Sequence, residues 1–171
     1  MATGMLVSVE EYLNTSYDPD CDYVDGRIEE RNVGEFDHGS LQTAIGSFFF
    51  VRRKQFGVHA VVEQRVQVSS TRFRVPDLCL ISETETPEPV FRSPPLLVVE
   101  ILSREDRMSK LLERVKDYLE FGVPCVWVID PRTHRAWIYT ASDVREVSDG
   151  ILRTPDGRIE LSLPEIFAAL Q

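Results

Sequence analysis

The sequence predicts an α/β fold in which a central sheet is covered on both faces. Two strand-like runs, Val75–Ile81 and Leu96–Leu102, are almost uniformly apolar, which is typical of strands that are buried on both sides. Two long stretches, from Asp37 to about Gln55 and Asp106–Phe121, repeat apolar residues at helical spacing. A length of 171 residues suits one domain, so we expect a single domain over residues 1–171.

The remaining elements follow from short local signals. Ser8 and Glu11 have the spacing of a capping box, which predicts a short helix. Asp25-Gly26 separates two β-prone stretches and predicts an N-terminal hairpin. Gly57 and Gly122 suit the ends of the two long helices. Further strands are predicted at Val58–Glu63, Arg65–Val68, Cys125–Ile129 and Ala136–Thr140, and a last helix at Ser162–Leu170, which opens with a second Ser-x-x-Glu box.

Composition and charge exclude several classes of function. No apolar run is long enough to cross a membrane, and the N-terminal stretch MATGMLVSVEEY lacks the basic and apolar segments of a secretory signal, so we expect a cytoplasmic protein. The three cysteines and three histidines show no zinc-ligand spacing. The formal charge of −9 argues against a broad nucleic-acid-binding surface. A bound cation or a local basic strip could still approach phosphate.

Glu100 is the first candidate for chemistry. It lies within the apolar run Leu96–Leu102, where an unpaired buried carboxylate would cost several kcal/mol. Asp77 begins a comparable run, and two adjacent strands could bring both carboxylates to one hard cation such as Mg²⁺. The alternatives are that Asp77 caps the start of a strand after Pro76 and that Glu100 forms a structural ion pair. The sequence leaves both open.

The second long helix supplies cations. At about 100° per residue, Ser103, Arg107, Lys110 and Arg114 fall on one side of the helix, away from its apolar stripe. These side chains could face a phosphate. They could equally form a solvated face paired with acidic neighbours on the helix.

The order and spacing of these motifs resemble one known family. The matching residues are Asp22-Tyr23-Val24-Asp25-Gly26, His38 at the first long helix, Pro76-Asp77, Glu100-Ile101-Leu102-Ser103, Tyr118-x-x-x-Gly122-Val123 and the strand Val126–Pro131. Together they resemble the Uma-type restriction endonuclease family of the PD-(D/E)XK nuclease superfamily. The resemblance covers nearly the whole chain. It implies a restriction-endonuclease-like core, a mixed central β-sheet flanked by helices, Mg²⁺ or Mn²⁺ dependence and a DNA substrate.

Two positions depart from the pattern that the resemblance implies. The usual acid-x-Lys motif would place a lysine at position 102, where this chain has Leu102. The Uma-type pattern takes its lysine from the next helix, four residues before the tyrosine, and that position is Arg114 here. Arginine keeps the charge but does not readily lose a proton, so it cannot act as a general base. Lys110, one turn earlier, is the available substitute.

The resulting hypothesis is metal-dependent hydrolysis of DNA phosphodiester bonds. Asp77 and Glu100 would hold the ion, Lys110 would act in catalysis, and Arg114, Arg107 and His38 would bind the substrate. Asp22 and Glu29 could add a carboxylate from the hairpin. A catalytically silent binding or assembly module with the same fold is the alternative, and a small-molecule phosphohydrolase is a third reading without a Gly-rich loop to favour it. A homodimer is expected by analogy, because two-fold symmetry suits cleavage of both strands.

Overall fold

A computed structural model describes residues 6–32 and 34–171. Residues 1–5, which belong to the N-terminal stretch assessed for a secretory signal, lie outside the described part. The helices are α1 (Val9–Leu13), α2 (Phe36–Val51), α3 (Arg53–Phe56), α4 (Met108–Phe121) and α5 (Leu163–Phe167), with a 3₁₀ turn at Ala168–Leu170. None of the helices in the described ranges is long and apolar enough to span a membrane.

The strands form one large sheet and two small ones. They are β1 (Asp22–Val24), β2 (Arg27–Glu29), β3 (Val58–Val62), β4 (Val66–Ser69), β5 (Arg72–Arg74), β6 (Leu78–Ser82), β7 (Leu97–Ile101), β8 (Val126–Asp130), β9 (Arg135–Tyr139), β10 (Val144–Glu146), β11 (Ile151–Arg153) and β12 (Glu160–Ser162). The large sheet has the order β10-β9-β8-β7-β6-β3. It is mixed, because β7 and β8 run parallel whereas the other neighbours are antiparallel.

The second sheet holds the N-terminal hairpin and has the order β2-β1-β5-β4. The predicted hairpin turn is confirmed: Asp25 and Gly26 have φ values of 49° and 89°, a left-handed pair that two-residue hairpins favour. The capping box at Ser8 is also confirmed, since its Oγ accepts a hydrogen bond from the N–H of Glu11 at 3.1 Å. The hairpin sheet forms one wall of the cleft described below.

Two apolar layers cover opposite faces of the large sheet. One layer contains Leu41, Ile45 and Phe49 of α2 together with Leu97 and Val99 of β7. The other contains Leu111, Val115 and Tyr118 of α4 together with Val98 and Leu102. Side chains that alternate along β7 therefore enter opposite layers. Glu100 alternates with Val99 and Ile101, so it belongs to the α4 face.

The prediction from sequence was wrong about some strand boundaries and missed several short strands. The run read as one strand from Val75 becomes a strand only at Leu78, after Pro76. β5 is a separate strand that ends at Arg74, and β10, β11 and β12 were not predicted. Ser162 stands at the start of α5, but its side chain makes no capping hydrogen bond. Glu165 instead lies 3.4 Å from Arg52 Nη2, so the second capping box is not formed.

Candidate metal and phosphodiester site

Strand register brings Asp77 and Glu100 together. In the antiparallel pair of β6 and β7, Leu78 faces Val99, and one further step along the same register sets Asp77 opposite Glu100. The two carboxylates are each 2% exposed and line one cleft of about 310 Å³. The possibility that they point to opposite faces of the sheet is therefore excluded.

Asp77 is held by three donors. Its Oδ2 accepts a hydrogen bond from the backbone N–H of Ile101 at 2.7 Å, which ties the carboxylate to β7. Its Oδ1 contacts the guanidinium of Arg31 and lies 3.2 Å from Nε2 of His38. Burial alone would raise the pKa of Asp77, but the hydrogen bond from His38 and the charge of Arg31 outweigh it and hold that pKa below its usual value. Asp77 is therefore ionised at neutral pH.

Glu100 is held from α4 instead. Its Oε1 accepts a hydrogen bond from the Tyr118 hydroxyl at 2.8 Å, and its Oε2 accepts one from Arg114 Nε at 3.1 Å. Burial raises the pKa of Glu100 to about 7, with Arg114 opposing this rise and the negative charge of Asp77 adding to it. The structural ion pair left open by the sequence is thus present. Arg114 and Tyr118 reach the same carboxylate because they are four residues apart on one helix face.

The segment between β7 and α4 forms the mouth of the cleft. Asp106 accepts hydrogen bonds from the N–H and hydroxyl of Ser103, at 2.8 and 3.1 Å, which fixes a tight turn before the helix. Asn32 donates to Ser103 Oγ at 2.9 Å and links this turn to the chain that leaves the hairpin. Arg107 follows at the N-cap of α4 and lines the cleft while exposed to solvent.

Lys110 lines the same cleft but turns toward its outer wall. Its amine donates hydrogen bonds to Glu29 at 2.6 Å and to Glu113 at 3.4 Å, and its side chain is 50% exposed. Within the described residues it makes no ion pair with Asp77 or Glu100. Glu29 therefore lies in the cleft wall, as the sequence allowed, but pairs with Lys110.

A buried arginine joins the hairpin to α4 behind this wall. Arg74 is 1% exposed, and its guanidinium lies 2.9 Å from Asp22 and 2.7 Å from Asp117. It also reaches Glu29 at 3.4 Å and Glu113 at 3.2 Å. Because Asp22 and Glu29 belong to the hairpin and Glu113 and Asp117 to α4, this arginine fixes the distance between the two cleft walls.

The structure gathers all the residues proposed from sequence into one cleft. Asp77, Glu100, Arg107, Lys110, Arg114 and His38 all line it. Sequence reasoning missed Arg31 and gave Tyr118 no role. The spacing of Arg114 and Tyr118 was an available signal for a shared partner. No comparable signal existed for Arg31, because its contact with Asp77 joins residues 46 positions apart.

The donor set suits a hard cation in type but is small. Two buried carboxylates on facing strands offer the oxygen atoms that Mg²⁺ and Mn²⁺ favour. Across residues 6–32 and 34–171, no group of three or more His, Cys, Asp or Glu side chains is arranged to hold a metal ion. A site at this place would therefore rest on two carboxylates, with the remaining ligands supplied by water or substrate.

The buried acids predict an unusual pH dependence of stability. Between the ordinary value of 4.5 and about 7, the folded protein holds a proton on Glu100 that the unfolded chain has released. For His38, burial works against the hydrogen bond and charge of Asp77, and the net effect raises its pKa above 6.5, so it also binds more protons when folded. Stability in the absence of ligands should therefore fall as pH rises through this window. Urea denaturation across pH should show the fall, and Glu100→Gln should flatten it; an equally steep fall in the variant would contradict the assignment.

Comparison with known proteins gives a family and a fold. The family model of Uma2, described as "Putative restriction endonuclease", matches residues 9–171. A crystal structure of "a putative nuclease belonging to DUF820" from Anabaena variabilis ATCC 29413 has a TM-score of 0.83 at 21% identity, covering 96% of this chain and 99% of that one. It confirms the mixed α/β fold.

Other comparisons add little. The cryo-electron-microscopy structure of a DrdV-DNA complex has a TM-score of 0.45 at 11% identity, over 75% of this chain and 10% of that one, which is too weak to support an argument. No curated protein matches the chain. The Uma2 model, by contrast, extends from Val9 to the last residue and includes every residue of the cleft. The chain therefore belongs to the Uma2 family of restriction endonuclease-like proteins.

Proposed function

We propose that the protein is an endodeoxyribonuclease that depends on Mg²⁺ or Mn²⁺ and hydrolyses phosphodiester bonds in DNA. The observation that carries the proposal is the facing pair of Asp77 and Glu100, buried at one cleft that Arg107, Lys110 and Arg114 also line. Two buried carboxylates suit a divalent cation, and the cationic side chains beside them suit a phosphate. Membership of the Uma2 family supports the same reaction class.

The residues fit a divalent ion at the two carboxylates. Asp77 Oδ1 and Glu100 would hold it, and the bound ion would supply a water of lowered pKa and neutralise charge on the phosphate. Asp77 keeps its orientation through the N–H of Ile101, and Tyr118 orients Glu100 from the helix side. Arg114 and Arg107 would bind the phosphate. Lys110 lines the same cleft and would leave Glu29 to position the attacking water or stabilise the transition state.

A silent binding or assembly module is the second candidate, and specific contacts favour it. Arg31 and Arg114 already neutralise Asp77 and Glu100, so the acid pair is satisfied without a metal ion. Leu102 is buried in the α4 layer and leaves the usual lysine position apolar. Both candidates predict binding to DNA or to another partner, but only the nuclease predicts strand cleavage.

Cleavage assays separate these candidates. Supercoiled, linear duplex and single-stranded DNA would be incubated with Mg²⁺, with Mn²⁺ and with a chelator, beside mononucleotides as substrates for a small-molecule phosphohydrolase. We expect cleavage of DNA only with a divalent ion and none of mononucleotides. DNA binding without cleavage under every condition would favour the silent module. Cleavage of mononucleotides alone would favour a small-molecule phosphohydrolase.

The two cations of α4 should differ in their effects on cleavage. Lys110→Ala should lower kcat by about tenfold to a thousandfold and change DNA affinity much less. The reason is that Lys110 would act mainly in the transition state. Arg114→Lys restores the lysine of the Uma-type pattern beside Glu100 and should preserve or raise cleavage. Lys116→Ala is the matched control, since Lys116 lies on the same helix but pairs at the surface with Glu120. If Lys110→Ala cleaves normally and Arg114→Lys gains nothing, neither position is the missing catalytic cation.

We also propose a homodimer and a cytoplasmic location. A homodimer would let one catalytic cleft act on each strand of a duplex, which is the argument from two-fold symmetry. A cytoplasmic location would give the enzyme access to DNA.

A further inference from the structure

Arg31 holds the position from which a cation would contact Asp77. Asp77 Oδ2 accepts the backbone N–H of Ile101 at 2.7 Å, so Oδ1 is the oxygen through which Asp77 would bind a cation. Arg31 donates to that oxygen, and His38 Nε2 lies 3.2 Å from it. A divalent ion that binds Asp77 must therefore compete with the guanidinium of Arg31.

Arg31 cannot leave this contact by losing its proton. Burial works against its charge, but the neighbouring charges of Asp77 and Glu100 outweigh that effect and keep the pKa of Arg31 above its already high usual value. The guanidinium is thus a permanent cation in the cleft. It can clear Asp77 only by moving its side chain.

The chain around Arg31 permits such a movement. Arg31 follows β2 in a segment without regular secondary structure, and its side chain is 19% exposed, so one side of the guanidinium meets the cleft. Asn32, the next residue, is tied to Ser103 Oγ at 2.9 Å. Asn32 therefore ties this segment to the turn before α4, while the hydrogen bond that the Arg31 side chain makes among the described residues is the one to Asp77.

We propose that Arg31 is an exchangeable counter-ion: it neutralises Asp77 when no divalent ion is bound, and it binds a DNA phosphate when an ion takes its place. This inference rests on the proposed function, because it takes Asp77 as a metal ligand. A planar guanidinium binds carboxylate and phosphate through the same paired hydrogen bonds. The exchange therefore gives Arg31 an anionic partner in both states.

Two consequences follow from the exchange. Arg31 lowers the affinity for a divalent ion, since the ion must displace it. Ion and DNA also bind cooperatively, because each favours the position of Arg31 that the other requires, and such coupling is reciprocal. A fixed Arg31 would lower the affinity for the ion by its charge alone, but it would not couple ion binding to DNA binding.

The first experiment measures ion binding without substrate. Isothermal titration of Mn²⁺ into Arg31→Gln should show affinity at least about tenfold tighter than wild type, because a neighbouring positive charge has been removed. Arg65→Gln is the matched control, since Arg65 is also a partly buried arginine paired with an aspartate, Asp20, at 2.6 Å, but lies outside the cleft. Its ion affinity should equal that of wild type. Affinity that is unchanged or weaker in Arg31→Gln overturns the exchange.

The second experiment measures coupling to DNA. Binding of a phosphorothioate oligonucleotide, which resists hydrolysis, would be compared with and without Mn²⁺. Arg31→Gln should weaken binding severalfold with Mn²⁺ and change it little without the ion. An equal loss in both conditions would overturn the exchange and make Arg31 a simple phosphate contact. If wild type and Arg31→Gln both fail to bind Mn²⁺, the proposed function fails; if wild type binds Mn²⁺ and Arg31→Gln shows no gain, only the role of Arg31 fails.

Discussion

Asp77→Asn and Glu100→Gln should each reduce Mg²⁺-dependent DNA cleavage by about a thousandfold or more. Charge stabilisation by a bound metal ion is worth several kcal/mol in a transition state, and each 1.4 kcal/mol corresponds to about a tenfold change in rate. Each substitution keeps the size of the side chain but removes the negative charge. We expect Mg²⁺ to raise the melting temperature of the wild type by mass action, and this increase should disappear in both variants.

The two variants should differ in stability although both lose activity. Asp77 is held ionised by Arg31 and His38, so its neutral replacement loses those contacts and should destabilise the protein. Glu100 carries a raised pKa of about 7, so glutamine removes a charge that burial disfavours above that pH. Glu100→Gln should therefore be at least as stable as wild type at high pH. Its loss of cleavage could not then be attributed to misfolding.

A third buried acid provides the control for this pair. Asp130 is 6% exposed, but its oxygens accept hydrogen bonds from Arg132 N at 3.0 Å and Thr133 Oγ1 at 2.9 Å within its own turn. Asp130→Asn suits the same turn and should keep full cleavage. Normal cleavage and an unchanged Mg²⁺-induced shift in both Asp77→Asn and Glu100→Gln would remove these residues as the metal ligands.

The two candidate acids could be predicted because the signal depends on the pattern of apolar and charged residues within each strand. A buried strand with one acid at its centre requires compensation, and that requirement identified Glu100 before the sheet order was known. The run that begins at Asp77 carried the same signal. The structure adds the register, in which Leu78 faces Val99, and this register sets the two acids opposite each other. Sequence patterns define the faces of a strand better than they define its partner.

The compensating cations were harder to predict because they come from distant parts of the chain. Arg114 was found through helical periodicity, but Arg31 lies in an irregular segment where no periodicity assigns a direction to the side chain. β5 was missed for a related reason: its burial depends on the hairpin sheet, and its two arginines look like surface residues in the sequence. Tertiary contacts, and not local sequence propensity, determine the positions of Arg31 and β5.

Arg74→Met should lower the free energy of unfolding by about 3–5 kcal/mol, the loss expected when one partner of a buried ion pair is removed. Arg74 is 1% exposed and neutralises Asp22 and Asp117, which are 3% and 7% exposed. Methionine fills similar space but leaves these carboxylates without that guanidinium. Urea denaturation at neutral pH would measure the loss.

A control from the same strand and the dependence on pH make this prediction specific. Arg72 pairs with Asp25 and Asp117, but its side chain is 31% exposed, so Arg72→Met should cost no more than about 1 kcal/mol. Burial raises the pKa of Asp22 although Arg74 opposes the rise, so removing Arg74 should raise it further. Protonation of Asp22 then relieves the unpaired charge, and the deficit of Arg74→Met should shrink as pH falls. Equal losses in Arg72→Met and Arg74→Met, with no dependence on pH, would show that the hairpin and α4 are joined mainly by apolar packing and not by this arginine.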